Sequence, residues 1–419
     1  MPLQTLGWTA RTMPFLERAQ AKYGDMWTMK LAQEGPWVMV SDPDVVKQVF
    51  KGDPEVFRAG EGNAILSPLV GHNSVLTLDG SAHMTQRKLM LPPFHGRRMQ
   101  AYGELMRDIA QREVDSWPAG GSMTLWPRMQ AITLEIILQA VFGLDEGPRL
   151  DALRERLREV LAASTAPVTM LLIAMLGTRR FERLKLVRRE LDPADQLLYE
   201  QIRERREDPD LESRSDILSM LLSARYEDGQ PMSDVELRDE LVTLLVAGHE
   251  TTATSLAWTM ERLVRHPGAL ERLRDEVAAG DDEYMDAVVK ETLRLRPVLP
   301  VVVRRLSQDT EVGGRLLPAG VAVAPCIHLV HRRPDVYPEP ARFRPERFLE
   351  QPAGTYTWIP FGGGVRRCLG ASFALFEMKQ VLTAMMSRIE PSASTTSERV
   401  IRRAITMSPS RGGEVTLAA

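Results

Sequence analysis

Apolar positions recur every three to four residues through most of the middle of the chain, from about Glu104 to Arg304, and give way to short runs nearer its ends. Trp27 to Leu31 and Trp37 to Val40 read as strands, with a helical pattern following at Asp44 to Phe50. Trp117, Pro118, Gly120 and Gly121 interrupt the helical spacing between Asp115 and Trp126, and Met129 to Phe142 resumes it with a run rich in Ile and Leu. Short strands return around Val312 to Ala324, before a last long helix predicted over Ala371 to Ile389. Without repeats or low-complexity segments to divide it, residues 1–419 read as one domain of mainly α (α+β) class, a helical body with a smaller β-rich region.

The longest helical pattern spans Asp234 to Arg265, with Ser233 as N-cap, acidic residues in the first turn and Pro267 just past the end. Such a helix is about 48 Å long at about 1.5 Å per residue, enough to cross a whole domain. Its middle, Leu241 to Ala257, carries no acidic or basic residue but Glu250 and His249, which predicts burial on most sides. At about 100° per residue Leu244, Ala247, Gly248 and Thr251 share one face. His249 points the opposite way, as a satisfied or solvent-facing histidine would, and Thr252 lies to the side.

The composition, 44% hydrophobic and 26% charged over 419 residues, is that of an ordinary globular protein. A net charge of −3 gives no electrostatic case for nucleic acid or an anionic membrane as partner. Cys326 and Cys368 are the only cysteines, so a disulfide framework is not expected and the cytoplasm is the default compartment. The N-terminal residues lack the pattern of an export signal. The longest apolar stretch, Ala166 to Gly177, is short of the roughly 20 residues needed to span a bilayer, so no membrane anchor is expected.

Cys368 lies in FGGGVRRCLG, with Gly362, Gly363 and Gly364 before it and Gly370 after. Glycines permit positive φ and close backbone approach, which suits a thiolate that must reach a flat group lying against its loop. Taken alone the pattern is an ordinary glycine-rich turn. Glu291 and Arg294 in KETLRLRP share a helix face and can pair, a spacing that usually marks a surface salt bridge. Ala247 to Thr252 reads AGHETT, small residues followed by an acid and a hydroxyl; His83 and Arg87 stand four residues apart on one face.

Together these motifs, in this order, resemble the cytochrome P450 family. Its haem loop fixes a Phe, a Gly, an Arg, a Cys and a Gly at the spacing of Phe361, Gly364, Arg366, Cys368 and Gly370. The resemblance implies the cytochrome P450 fold, a helical bundle around haem b (iron protoporphyrin IX), with Cys368 as axial iron ligand. It implies that His83, Arg87, Arg304 and Arg366 reach the haem propionates, Arg305 being a rival for Arg304. It further implies a structural network in which Arg347, from Pro345-Glu346-Arg347-Phe348, joins Glu291 and Arg294. Glu250 and Thr251 would serve oxygen activation over a haem face bordered by Ala247 and Gly248, whose small size leaves room for dioxygen. Cys326, in a predicted strand, reads as a small core residue.

The implied activity is that of a monooxygenase that inserts one atom of O2 into a hydrophobic small molecule such as a terpenoid, fatty acid or steroid. Substrate walls would come from 65–75, 166–177, Leu244, Ala247, Val298, Val301, Val302 and the turn near Met407. No glycine-rich dinucleotide fingerprint is present, so electrons are expected from a separate ferredoxin or similar donor with an NAD(P)H-dependent reductase, docking near Arg97, Arg98 and Arg367 on a monomer. A peroxide-using or peroxide-rearranging haem-thiolate enzyme and a haem-binding carrier or sensor are the alternatives. The acid and hydroxyl pair speaks against both.

Overall fold

The computed structural model describes residues 3–418 except 33, 95, 97, 144–146, 167–168, 170–171, 174–175 and 182–183. The central helix runs Asp234–Val264 and opens on a capping box: the Ser233 hydroxyl accepts from the Glu236 amide, and the Glu236 carboxylate accepts from the Ser233 amide at 2.8 Å. From Leu237 onward most of its side chains are buried. The Leu125–Phe142 helix packs along it so closely that a Cβ on Gly248 would stand 2.7 Å from Ile137 Cδ1. Gly248 thus also lies where two helices meet, a contact that the sequence did not suggest beside the room for dioxygen.

The predicted start of that neighbour at Met129 is late by one turn, because Pro127 sits in the first turn, where a missing N–H costs no helical bond. The last helix is Ala371–Met386, shorter than predicted at its C-terminal end, and it packs between Arg98–Asp115, Glu283–Leu295 and the central helix. Met106, Ile132, Leu256, Val288 and Val381 belong to one large buried cluster shared by these elements.

The β-rich part is a five-stranded sheet in the order Met26–Leu31, Gly35–Val40, Ala322–Pro325, Arg304–Leu306, Phe57–Arg58. Gly35–Val40 and Ala322–Pro325 run parallel, which joins the two ends of the chain into one layer. The interruption at 115–126 holds a strand, Gly121–Thr124, paired with Glu414–Leu417, which also pairs with Pro391–Ala393. A hairpin, Val400–Arg403 with Thr406–Pro409, lies against the end of the central helix. Cys326 is fully buried just past the Ala322–Pro325 strand, with Sγ 3.7 Å from Pro300 O, as expected of a core cysteine.

Candidate functional site

The Phe361–Gly370 loop is shaped by its glycines. Gly362 and Gly364 have φ of +66° and +67°, and a Cβ on Gly364 would stand 1.9 Å from the Phe50 carbonyl oxygen. The loop thus lies flat on the end of the Pro43–Lys51 helix and closes through the Cys368 amide, which donates to Phe361 O at 2.9 Å. Gly370 has a φ of −86°, and a Cβ added to it would meet nothing within 4 Å, so the fold itself does not demand glycine there; a flat group lying on the loop would. Cys368 is accessible, yet it sits low in the protein and burial pushes its thiol pKa up, against a Gly370 amide hydrogen bond and the charges of Arg87 and Arg367.

Glu291, Arg294 and Arg347 form the buried node that the motifs implied. Arg294 donates to both Glu291 oxygens at 2.7 and 2.9 Å, and Arg347 Nε donates to Glu291 at 3.1 Å. Arg294 also donates to the carbonyls of His331, Pro340 and Arg342, and Glu291 accepts the Arg344 amide. One carboxylate therefore binds the Glu283–Leu295 helix to the meander that leads into the cysteine loop. Trp358 extends the link, donating to Lys290 O at 3.1 Å and meeting Phe361 edge to face at 6.0 Å.

His83, Arg87, Arg304 and Arg366 form an electrostatic group. His83 is buried and its pKa is pushed down to about 3, first by burial and then by Arg366, Arg87 and Arg304. Arg304 and Arg366 are each lowered to about 10, chiefly by burial. Arg305 turns away to Glu34 and Gly320 O, which leaves Arg304 as the inward arginine. Asp79, 2.7 Å from Arg366, is the one carboxylate paired with these four among the described residues, and His83 Nδ1 and Arg366 Nε have no partner. Arg87 donates to Arg367 O. Such a surplus of buried donors fits a ligand that brings its own carboxylates.

On the central helix Ala247 is exposed and Leu244, Gly248 and Thr251 are half-buried, so the predicted face is the bared one. Thr251 Oγ1 donates back to Ala247 O at 2.5 Å. Glu250 accepts from Gln130 Nε2 at 3.0 Å and from Thr254 at 3.4 Å; burial raises its pKa, with Gln130 and Arg403 opposing. His249 is buried, with Nδ1 2.9 Å from the Thr133 hydroxyl, the satisfied histidine expected from its position.

The predicted walls are less gathered. Val302 approaches Gly362 of the cysteine loop, whereas Val301 packs into the sheet's core cluster. Val298 O accepts the Met407 amide at 2.8 Å, and Met407 is buried against Trp258, whose Nε1 donates to its carbonyl. Arg97 and parts of 166–177 lie outside the described residues, as does the side chain of Arg98; Arg367 is exposed. Sequence reasoning missed Asp79, Gln130 and Glu240, which are ordinary polar residues in sequence and acquire partners only through the fold. The lone acid in an apolar helix did mark Glu250, and its need for a buried partner is the one signal that could have led to Gln130.

Among the described residues no three His, Cys, Asp or Glu gather to hold a metal ion. A lone thiol on a shaped loop, ringed by donors for carboxylates, instead suits iron already held in its own macrocycle: the class is haem-thiolate. The family model for Cytochrome P450 matches residues 3–415. Cytochrome P450 135B1 of Mycobacterium tuberculosis is 45% identical over 97% of this chain and 87% of its own length. Cytochrome P450 137 of the same species is 36% identical over 94% and 83%. Both names state a family and no substrate. A solved structure, retinoic acid bound cyanobacterial CYP120A1, superposes with a TM-score of 0.86 at 26% identity, covering 99% of this chain and 96% of that one. The chain belongs to the cytochrome P450 family, a family of haem-binding oxidoreductases that act in general as monooxygenases. No described helix is long and apolar enough to cross a membrane.

Proposed function

We propose that this protein is a haem-thiolate monooxygenase that inserts one oxygen atom of O2 into a hydrophobic small molecule, with electrons from a separate ferredoxin-type partner. The observation that carries the reading is the bared face of the central helix, where Thr251 stands one turn from exposed Ala247 and next to Glu250. A carrier has no use for a hydroxyl and an acid adjoining there.

Cys368 would ligate the iron, and His83, Arg87, Arg304 and Arg366 would hold the propionates. Bound haem supplies the redox chemistry that activates dioxygen. The chain's own residues supply position and protons. Thr251 Oγ1, free to leave the Ala247 carbonyl, offers a hydrogen bond to a ligand over that face. Glu250, whose pKa burial raises, is held toward its protonated form, and Gln130 and Thr254 fix its carboxyl.

Leu244, on the bared helix face, and Val302, beside the cysteine loop, are apolar, which supports a hydrophobic substrate. Retinoic acid, the ligand bound to the cyanobacterial neighbour, supports a terpenoid among the substrate classes considered. The reduced, carbon monoxide-bound protein tests the ligation: a Soret band at the thiolate position is expected, and one at the position of neutral-ligand haem proteins rejects it. Spin-state titration against a lipophilic library tests the substrate class, terpenoids being expected to give the largest shifts.

A further inference from the structure

A small cavity, of about 50 Å³, lies beside Pro297 and is lined by Met13, Glu17, Trp258, Arg296, His328 and Arg332 among others. It takes in the Thr12–Tyr23 helix, the central helix, the end of the Glu283–Leu295 helix and the hairpin at 400–409. Ser255 and Trp258 are both buried, so the central helix presents no bared surface between Thr251 and this cavity.

The charges around it do not balance. Arg296 stacks over the Trp258 ring at 5.2 Å and donates from Nη1 to Leu295 O, but its buried Nε has no partner. Arg332 Nε is likewise buried and unpaired. Glu17, on the opposite wall, is engaged by His328 Nε2 at 2.9 Å. The next carboxylate along the central helix, Glu261, is taken by Arg262 and Arg265. Glu291, behind the helix end, is taken by Arg294 and Arg347. His328 is buried and held toward its neutral form, so it adds no further positive charge; burial and the neighbouring arginines also lower the pKa of Arg296 to about 9. Two guanidinium groups thus face one carboxylate, leaving about one positive charge uncompensated. Water can satisfy an N–H group but brings no counter-charge, and both guanidinium groups are only partly exposed to it.

We propose that this cavity is a binding site for one small monovalent anion, of the halide or short-carboxylate class, held between the guanidinium groups of Arg296 and Arg332. The volume admits chloride, bromide or formate and no long tail. A bound anion would tie the first long helix and the 400–409 hairpin to the end of the central helix, so its effect is on stability.

The experiment is a thermal-unfolding titration of the holoprotein with formate and with bromide, at constant ionic strength balanced by gluconate. For the wild type the midpoint is expected to rise with the logarithm of anion concentration above a dissociation constant in the millimolar range, as one-site linkage requires. Arg296→Gln and Arg332→Gln should each weaken that response at least tenfold. An equal response in wild type and variants overturns the proposal. Should neither variant fold, wild-type crystals soaked in bromide decide the matter: an anomalous peak between Arg296 and Arg332 supports the site, and water alone there overturns it.

Discussion

Glu240, buried near the start of the central helix, accepts the Val75 amide hydrogen at 2.7 Å. On the other side of that peptide segment Arg366 of the cysteine loop donates to Val75 O at 3.1 Å and to Leu78 O. The strand of chain from 75 to 79 is thus gripped by the central helix and by the haem loop at once. Asp239, one residue earlier, adds the Asn73 amide and side chain.

The Glu240 carboxyl is raised to about 8, first by burial, then by Asp239 and Glu236, against the Val75 amide and Gln86. Its folded pKa lies above the reference value of 4.5, so the native state holds the proton more tightly, and stability falls as pH rises from about 4.5 to about 8. Glu240→Gln removes this slope while keeping an acceptor for Val75. The variant should gain on the wild type steadily between pH 5 and pH 8, by an upper bound on the order of 5 kcal/mol at about 1.36 kcal/mol per pKa unit. Denaturant unfolding at a series of pH values checks this; a difference that does not change with pH counts against it.

Glu291 neutralises two buried arginines, so its removal should cost more than either arginine's hydrogen bonds suggest. Glu291→Gln is expected to lose about 3–5 kcal/mol, because two guanidinium groups are left buried without a counter-charge. Chemical denaturation measures the loss. Haem retention on a desalting column should fall with it, since the cysteine loop is tied to this node.

Gly364 and Gly370 are both in the haem loop, but for separable reasons. Gly364→Ala meets the Phe50 carbonyl and a φ of +67°, and should destabilise the apoprotein by more than the roughly 1–2 kcal/mol of the left-handed backbone alone. Gly370→Ala should leave apoprotein stability within about 0.5 kcal/mol and lower haem affinity. Apoprotein melting beside haem titration separates the two; equal haem affinity for Gly370→Ala and wild type would remove the reason given for that glycine.

Thr251→Ala should fold as well as the wild type, since the lost bond is a back-bond within its own helix. It should consume reducing equivalents with a larger share released as hydrogen peroxide, and Thr251→Ser should restore most of the coupling. Product and peroxide per NAD(P)H consumed are the readouts, and unchanged coupling in Thr251→Ala rejects the role.

What the sequence made legible was whatever local spacing controls. The central helix, its Ser233 cap, the bared Ala247–Thr251 face and the Glu291–Arg294 pair follow from periodicities of a few residues. The loop glycines follow from the backbone they must allow. Less legible was everything that depends on two distant segments arriving together. The contact of Gly248 with Ile137, 111 positions earlier, is invisible from its local pattern. Arg304 could not be told from Arg305 until the strand fixed which side chain turned inward. Glu240 sits in an Arg-Asp-Glu run that looks like any solvated helix face, and only the approach of Val75 gives it a task.

The close contact of Gly248 with Ile137 backs the bared face of Ala247 and Thr251 with the Leu125–Phe142 helix. One methyl group added at position 248 would press on the end of the Ile137 side chain, which must turn aside to admit it. A change behind the central helix can therefore reach this face through Ile137.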